Sequence, residues 1–227
     1  MSIWLNYGGK GLKFGSGIRV AVEETSPVGN MTLRLRFTTG VTPVFSKGTA
    51  VRVSADPNIW ELTYNDTSWE NLLDGQGELI EVLAVGATTG LTNTRQMFRN
   101  CSKLVSVATF DTSSVTTMAA MFRGCSSLVS APMLNTSSAT TVSSMFNGCY
   151  ALTNVPLYNT SLVTNMNLMF YECTNVQSGA LSLYTQASTQ INPPSSHTET
   201  FTLCGSATTT GAAELAQIPS DWGGTGA

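Results

Sequence analysis

The pair Met-Phe returns every 24 residues, at Met97-Phe98, Met121-Phe122, Met145-Phe146 and Met169-Phe170. Three positions after each Phe stands a cysteine, Cys101, Cys125, Cys149 or Cys173, and three further on an aliphatic residue, Leu104, Leu128, Leu152 or Val176. Between these blocks Asp111-Thr112-Ser113, Asn135-Thr136-Ser137 and Asn159-Thr160-Ser161 keep the same period. A fixed period of this length marks repeated units, none of which can bury its apolar face alone. The core must therefore be built of columns, with neighbouring units about 4.8 Å apart, the separation of hydrogen-bonded strands.

Within a unit, Met118-x-x-Met121-Phe122-x-x-Cys125 has spacings of three and four, which predicts one or two inward-facing helical turns. The segment Leu104–Phe110 predicts a short parallel strand, although Pro132 and Pro156 share one column there and cannot donate to a ladder. The Asp/Asn-Thr-Ser column predicts a turn whose side chains bond backbone groups. Four of the five cysteines stand in one column, which reads as a ladder of buried thiols that behave as small hydrophobes. Disulfides between neighbouring rungs are the alternative, against which parallel side-chain vectors count.

The rest of the chain divides around this block. Residues 1–17 form a glycine-rich N-terminal arm with Trp4 and Tyr7 as candidate attachment residues, and its glycine spacing matches neither phosphate-binding motif. Residues 18–65 read as a small antiparallel β domain from the period-two runs Ile18-Val20-Val22, Leu33-Leu35-Phe37, Val51-Val53 and Trp60-Leu62-Tyr64. Arg34, Arg36 and Arg52 fall on its wet face. Residues 66–96 read as an N-terminal cap with a helix started by Thr67 or Ser68, then a degenerate first coil whose strand is Leu79–Val85. The regular repeats run over 97–204. The last unit, Phe201-x-x-Cys204, comes 31 residues after Phe170, so about seven residues are inserted near Tyr184–Ser196. Residues 205–227 form a C-terminal cap with a closing helix over Thr210–Ile218.

The blocks, as in MFRGCSSLVSAPMLNTSSATTVSSMF, resemble the BspA-like branch of the leucine-rich repeats over roughly residues 79–204. The resemblance implies a mainly β fold with short helical turns: a right-handed parallel leucine-rich-repeat solenoid, one short strand per coil, preceded here by the small antiparallel β domain. It also implies the settings of that family, namely surface proteins of anaerobic bacteria and phage or prophage genes, with adhesive roles. The tail HTETFTLCGSATTTGAAELAQIPSDWGG resembles the closing segment of phage-encoded members. The chain departs from the family's surface lipoproteins in having no lipobox.

Charge narrows the function. Only 11% of the 227 residues are charged, against roughly 25% in an ordinary soluble domain. Every Lys and Arg lies at or before Arg123, so residues 1–123 carry +1 and residues 124–227 carry −4. The repeats thus offer no basic stripe to a nucleic acid. The opening residues hold no apolar run of signal-peptide length, and no stretch is long enough to insert in a membrane. The chain is expected either to follow a removed signal or to be made without one. The one histidine, His197, has no nucleophile in sequence context and reads as structural. Paired CxxC sites and acidic calcium loops are absent, so neither cofactor nor metal is expected.

These features predict a non-enzymatic structural or binding protein. A leaderless start, low charge and an arm joined to a rigid stack fit a bacteriophage virion component with a display or host-adhesion role; the alternative is a bacterial cell-surface adhesin. The expected partners are virion or host-surface proteins or surface glycans, with homo-oligomers left open. The candidate binding stripe is Phe110, Leu134 and Tyr158, beside Met133 and Leu157. Facing outward, that column is an apolar contact surface; facing inward at a bend, it completes the core.

Overall fold

The structure, a computed structural model, describes residues 4–7, 10–13, 32–53 and 55–226. The strand predicted over Ile18–Val22 lies outside these residues. Strands β1 (Trp4–Tyr7) and β2 (Lys10–Lys13) pair antiparallel, with Trp4 opposite Lys13 and Tyr7 opposite Lys10.

Alternation in the next runs produces strands where the period of two predicts them. In β3 (Thr32–Phe37) Leu33, Leu35 and Phe37 face the core while Arg34 and Arg36 face outward. It lies between β5 (Ile59–Thr63) and β6 (Leu79–Val85), antiparallel to both, and β4 (Thr49–Arg52) extends the sheet beyond β5. The arginines do not form a free basic patch. Arg36 donates to Glu81 at 2.6 Å, Arg34 lies 3.5 Å from Glu61, and Arg52 donates to the Pro57 carbonyl above the Trp60 ring.

The expected mainly β, right-handed parallel leucine-rich-repeat solenoid is overturned. The sheet is a small mixed one of five strands in the order β4-β5-β3-β6-β7, accompanied by two short helices, and its only parallel pair is β6 with the two-residue β7 (Ser106–Val107). The repeats do not each contribute a strand. The reason is in the proline column. The Ala108 N–H donates to the Val82 carbonyl at 2.8 Å and ends the β6–β7 ladder. One and two periods on, that position is Pro132 and Pro156, which have no N–H to give.

The repeats pack instead as layers of successive turns. Along one edge, donors alternate in direction. Met97, Arg99 and Cys101 donate to carbonyls three residues back, while Thr94, Gln96, Phe98 and Asn100 donate to Thr117, Ala119, Met121 and Arg123 of the next layer, at 2.7–3.1 Å. The same pattern recurs in the following layers. Two columns of residues four apart hold positive φ: Gln96, Ala120, Ser144 and Leu168 near 55°, and Asn100, Gly124, Gly148 and Glu172 at 59–74°. A left-handed residue costs about 1–2 kcal/mol unless it is glycine, so the between-layer bonds and the core must outweigh a cost repeated in every unit. This corrects the helical reading of the Met-x-x-Met-Phe-x-x-Cys run. Its spacing is helical, but every second N–H points out of the layer. The helix predicted to start at Thr67 or Ser68 fails for the same reason: Trp69, Asn71 and Leu73 donate to Asn93, Arg95 and Met97, and Asn71 has φ 55°.

Next to this edge runs a column of threonines. Thr116, Thr140 and Thr164 each donate both N–H and Oγ1–H to the carbonyl of the threonine one layer back. At the Asp/Asn-Thr-Ser corners Asp111, Asn135 and Asn159 accept from the N–H two residues on, and buried Thr112 and Thr136 donate to the next layer's Asn135 and Asn159 carbonyls. Such turns satisfy backbone donors that burial would otherwise leave without partners.

Inside these turns lies the core. Phe98, Phe122, Phe146 and Phe170 stack with centroids 5.2–5.3 Å apart and ring planes within 11°, and Phe201 follows at 6.1 Å. All five are inaccessible. The five cysteines are free thiols, all buried. The first layer is continuous with the sheet, and Leu33, Leu35 and Leu62 join the same apolar cluster as the phenylalanines.

At the far end, the inserted residues hold α1 (Ala180–Thr189), a helix that the broken period does not announce. Helix α2 (Thr209–Leu215), started by Thr208 accepting from the Gly211 N–H, falls where the closing helix is predicted. A 3-10 turn over Ser220–Trp222 buries Trp222.

Candidate functional site

The column at 110, 134 and 158 turns inward. Leu134 and Tyr158 are 7% and 3% exposed, and Phe110 is half-buried with its ring 6.2 Å from Trp69. Tyr158 stacks on Phe146, and its hydroxyl donates to the Pro132 carbonyl at 2.7 Å, which burial makes worth keeping. Desolvation drives its phenol pKa upward, so it stays protonated as that donor. The residues left outside are their neighbours: Met133 is 69% exposed and Leu157 61%. The five stripe residues therefore separate, three into or against the core and two onto the surface. Trp4 and Tyr7 lie in β1, away from this column in sequence, and only their backbone is described.

Leu157 also lines a cleft of about 320 Å3 with Asn159, Ser161, Gln186 and Gln190. The first three come from one layer and the two glutamines from α1 and its C-terminal end. Here the regular stack ends. Thr112 and Thr136 have a main-chain carbonyl of the next layer to donate to, but Thr160 donates to Gln190 Oε1 at 2.9 Å. The Gln190 amide donates to the Thr160 carbonyl, and the Gln186 amide to the Tyr158 carbonyl at 2.6 Å. Two side chains one helical turn apart thus replace the missing backbone. Sequence reasoning misses both glutamines, since they fall in the insertion, where the period gives no column. Their spacing of four is the signal available.

The cleft walls are amide, hydroxyl and aliphatic, and none of these side chains ionises. Such a lining offers hydrogen-bond donors and acceptors beside an aliphatic side chain. A second cleft of about 270 Å3 lies at the sheet, between Thr32, Leu33, Arg34, Glu61, Ala84, Val85 and Gly86, and there Arg34 and Glu61 face each other.

His197 is built into the C-terminal cap. Its ring stacks on Trp222 at 4.1 Å, Nδ1 lies 3.1 Å from the Pro194 carbonyl, and Nε2 lies 3.5 Å from the Asp221 carboxylate. Among the described residues no group of three His, Cys, Asp or Glu side chains is placed to hold a metal ion, and no helix is long and apolar enough to cross a membrane.

A layered stack with a short mixed sheet at one end and a helical cap at the other defines a repeat protein by its geometry. The chain belongs to the family described as "Mycoplasma protein of unknown function, DUF285", whose model matches residues 87–202, just over half the chain. That family is related to the BspA-like repeats. No curated protein and no solved structure matches the chain.

Proposed function

We propose that this protein is a non-enzymatic binding and display module, which offers the face of its layered stack beside α1 to a partner on a phage particle or host surface. The observation that carries the reading is the exposure of Met133 and Leu157 beside an uncharged, amide-lined cleft, on a backbone whose every layer is bonded to the next. Rigid scaffolds with an exposed apolar strip and convergent polar groups lose little entropy on binding. The partner class that matches is a protein surface or a glycan, since both present neutral donors and acceptors and neither needs a charged pocket.

The setting we infer is the virion. A second setting is the bacterial cell surface. Glycan-array and host-lysate binding by the wild type and by M133S/L157S tests the module itself. Loss of binding at unchanged melting temperature is expected; equal binding by the variant would remove this surface from consideration. Mass spectrometry of purified particles against surface-biotinylated cells then separates the two settings.

A further inference from the structure

One outer face, centred on the Arg99, Arg123, Asn147 and Tyr171 column, carries charge in an ordered sequence. In the first two layers the charges cancel: Glu70, Asp74 and Glu78 pair with Arg95, Arg99 and Lys103, each 25 residues on. The Phe122 layer follows with Arg123, exposed and without an ion-pair partner among the described residues. Asn147 is next in the column, then Tyr171, with Glu172 beside it. Bonds from Gly124 N–H to the Asn147 carbonyl and from Gly148 N–H to the Tyr171 carbonyl hold these positions in adjacent layers. In the next layer Thr202 takes the Tyr171 place, and Glu199 stands at the Leu168 place of that layer. Neither Glu172 nor Glu199 has a cationic partner among the described residues, and residues 124–227 contain no Lys or Arg to supply one.

The acidic end is also where the chain departs from its own repeat. Glu172 holds φ 59° in a column filled by Gly124 and Gly148 in the two preceding layers. Tyr150 stands where those before it have Ser102 and Ser126, and Tyr171 follows Arg99, Arg123 and Asn147. The layer architecture demands none of the three. They meet: the Tyr150 hydroxyl donates to Glu172 at 2.9 Å with the ring 46% exposed, and the charge of Glu172 raises the Tyr171 phenol pKa.

We propose that this face docks on the same face of a second copy, in an antiparallel two-fold dimer centred on the Asn147 layer. The symmetry follows from the order of charges. A two-fold axis at Asn147 brings Arg123 of each copy opposite Glu172 of the other, since both stand one layer from the centre. The Arg95–Arg99 layer, already neutralised by Glu70 and Asp74, adds no pair of its own across the axis. A parallel arrangement would set like charges against each other. Tyr150 and Tyr171, broad and rigid, supply contact area around the axis, and the charges fix register and orientation. Exposed pairs of this kind contribute little each, so the dimer is weak and salt-sensitive.

The test is sedimentation equilibrium of the wild type, R123E, E172R and an equimolar mixture of the two variants, at low and high salt. Wild type should dimerise at low salt and dissociate as salt is added. Each single variant places like charges across the axis and should weaken Kd by roughly tenfold or more. The mixture should recover dimer near the wild-type Kd, because the carboxylate introduced by R123E in one chain then meets the guanidinium introduced by E172R in the other. Variants that merely misfold cannot rescue each other. A wild type that stays monomeric at millimolar concentration and low salt overturns the proposal. So does a mixture that stays monomeric. Saturable binding of an arginine-rich peptide to a monomeric wild type would assign the acidic end to a basic partner and likewise overturn it.

Discussion

The Cys125 thiol donates to the Phe98 carbonyl, 3.0 Å away in the preceding layer. Cys101, Cys149 and Cys173 make the same bond to Leu73, Phe122 and Phe146. The sulfur thus fills a fully buried place while offering a donor to a buried carbonyl. Cysteine is selected here as a small hydrophobe with a proton to share.

The thiols should therefore resist modification. Burial pushes the Cys101 pKa up to about 12 and drives those of Cys125, Cys149 and Cys173 upward as well. The reactive thiolate is then scarce at neutral pH. Labelling of the native protein by a maleimide should be slow and should accelerate with urea in step with unfolding. Fast native labelling would mean that the layers open locally.

Replacing Phe122 by Ala should cost about 3–5 kcal/mol, the range for an aromatic removed from a packed core. The ring lies 5.3 Å from both Phe98 and Phe146 and has no exposed surface. Urea unfolding measures the loss, and a value of only about 1 kcal/mol would show that the neighbouring rings collapse into the space.

Tyr158→Phe removes only a hydroxyl, leaving the Pro132 carbonyl short of a donor. A loss of about 1–3 kcal/mol is expected for the buried, unpaired acceptor. Tyr158→Ser should cost more, because it also empties the place against Phe146. Unchanged stability in both variants would return this residue to the surface.

Glu214 lends its carboxylate to the start of another helix: it accepts from the Gly179 and Leu181 N–H groups at 3.2 and 3.1 Å. Glu214→Ala should cost about 0.5–2 kcal/mol, as loss of an N-terminal cap does. Hydrogen exchange should quicken in α1 before it quickens in the Phe122 layer. Uniform quickening would mean the cap is coupled to the whole stack.

Asp111 accepts from the Ser113 N–H, which lowers its pKa in the folded state. A depressed carboxylate stabilises the fold above its unfolded pKa, and that contribution is lost as pH falls through the folded value. Asp111→Asn should leave stability at neutral pH nearly unchanged, since Asn135 and Asn159 already serve the same corner, and should flatten the acid limb of the stability profile. An unchanged acid limb would assign that limb to other carboxylates.

The columns were legible because a 24-residue period names the core positions of the repeat block, and the buried phenylalanines, thiols and corner threonines stand where it puts them. The conformation joining them was not. Side chains three and four apart look helical whether the backbone coils or folds back in turns, and the choice lies with alternate N–H groups that carry no mark in the sequence. Ala120, Ser144 and Leu168 hold positive φ without a glycine to announce it. The strand reading failed at Pro132 and Pro156, residues visible from the start, because one missing donor per layer is enough to stop a ladder. Of the candidate stripe, the two registers differed by a single residue, which in a pleated segment decides between core and surface. The two glutamines of the insertion had no period to reveal them.

The prolines that end the parallel ladder after β7 have a further effect on how the molecule behaves in a crowd. A stack of identical strands would present a long edge of unpaired backbone groups, the template on which chains join into fibrils. Here the sheet stops at a two-residue strand, and the next two layers answer an approaching strand with a ring where a donor should be. At this edge, a sequence that repeats its core motif in layer after layer is thereby kept from pairing with its copies through the backbone, and association there must go through side chains.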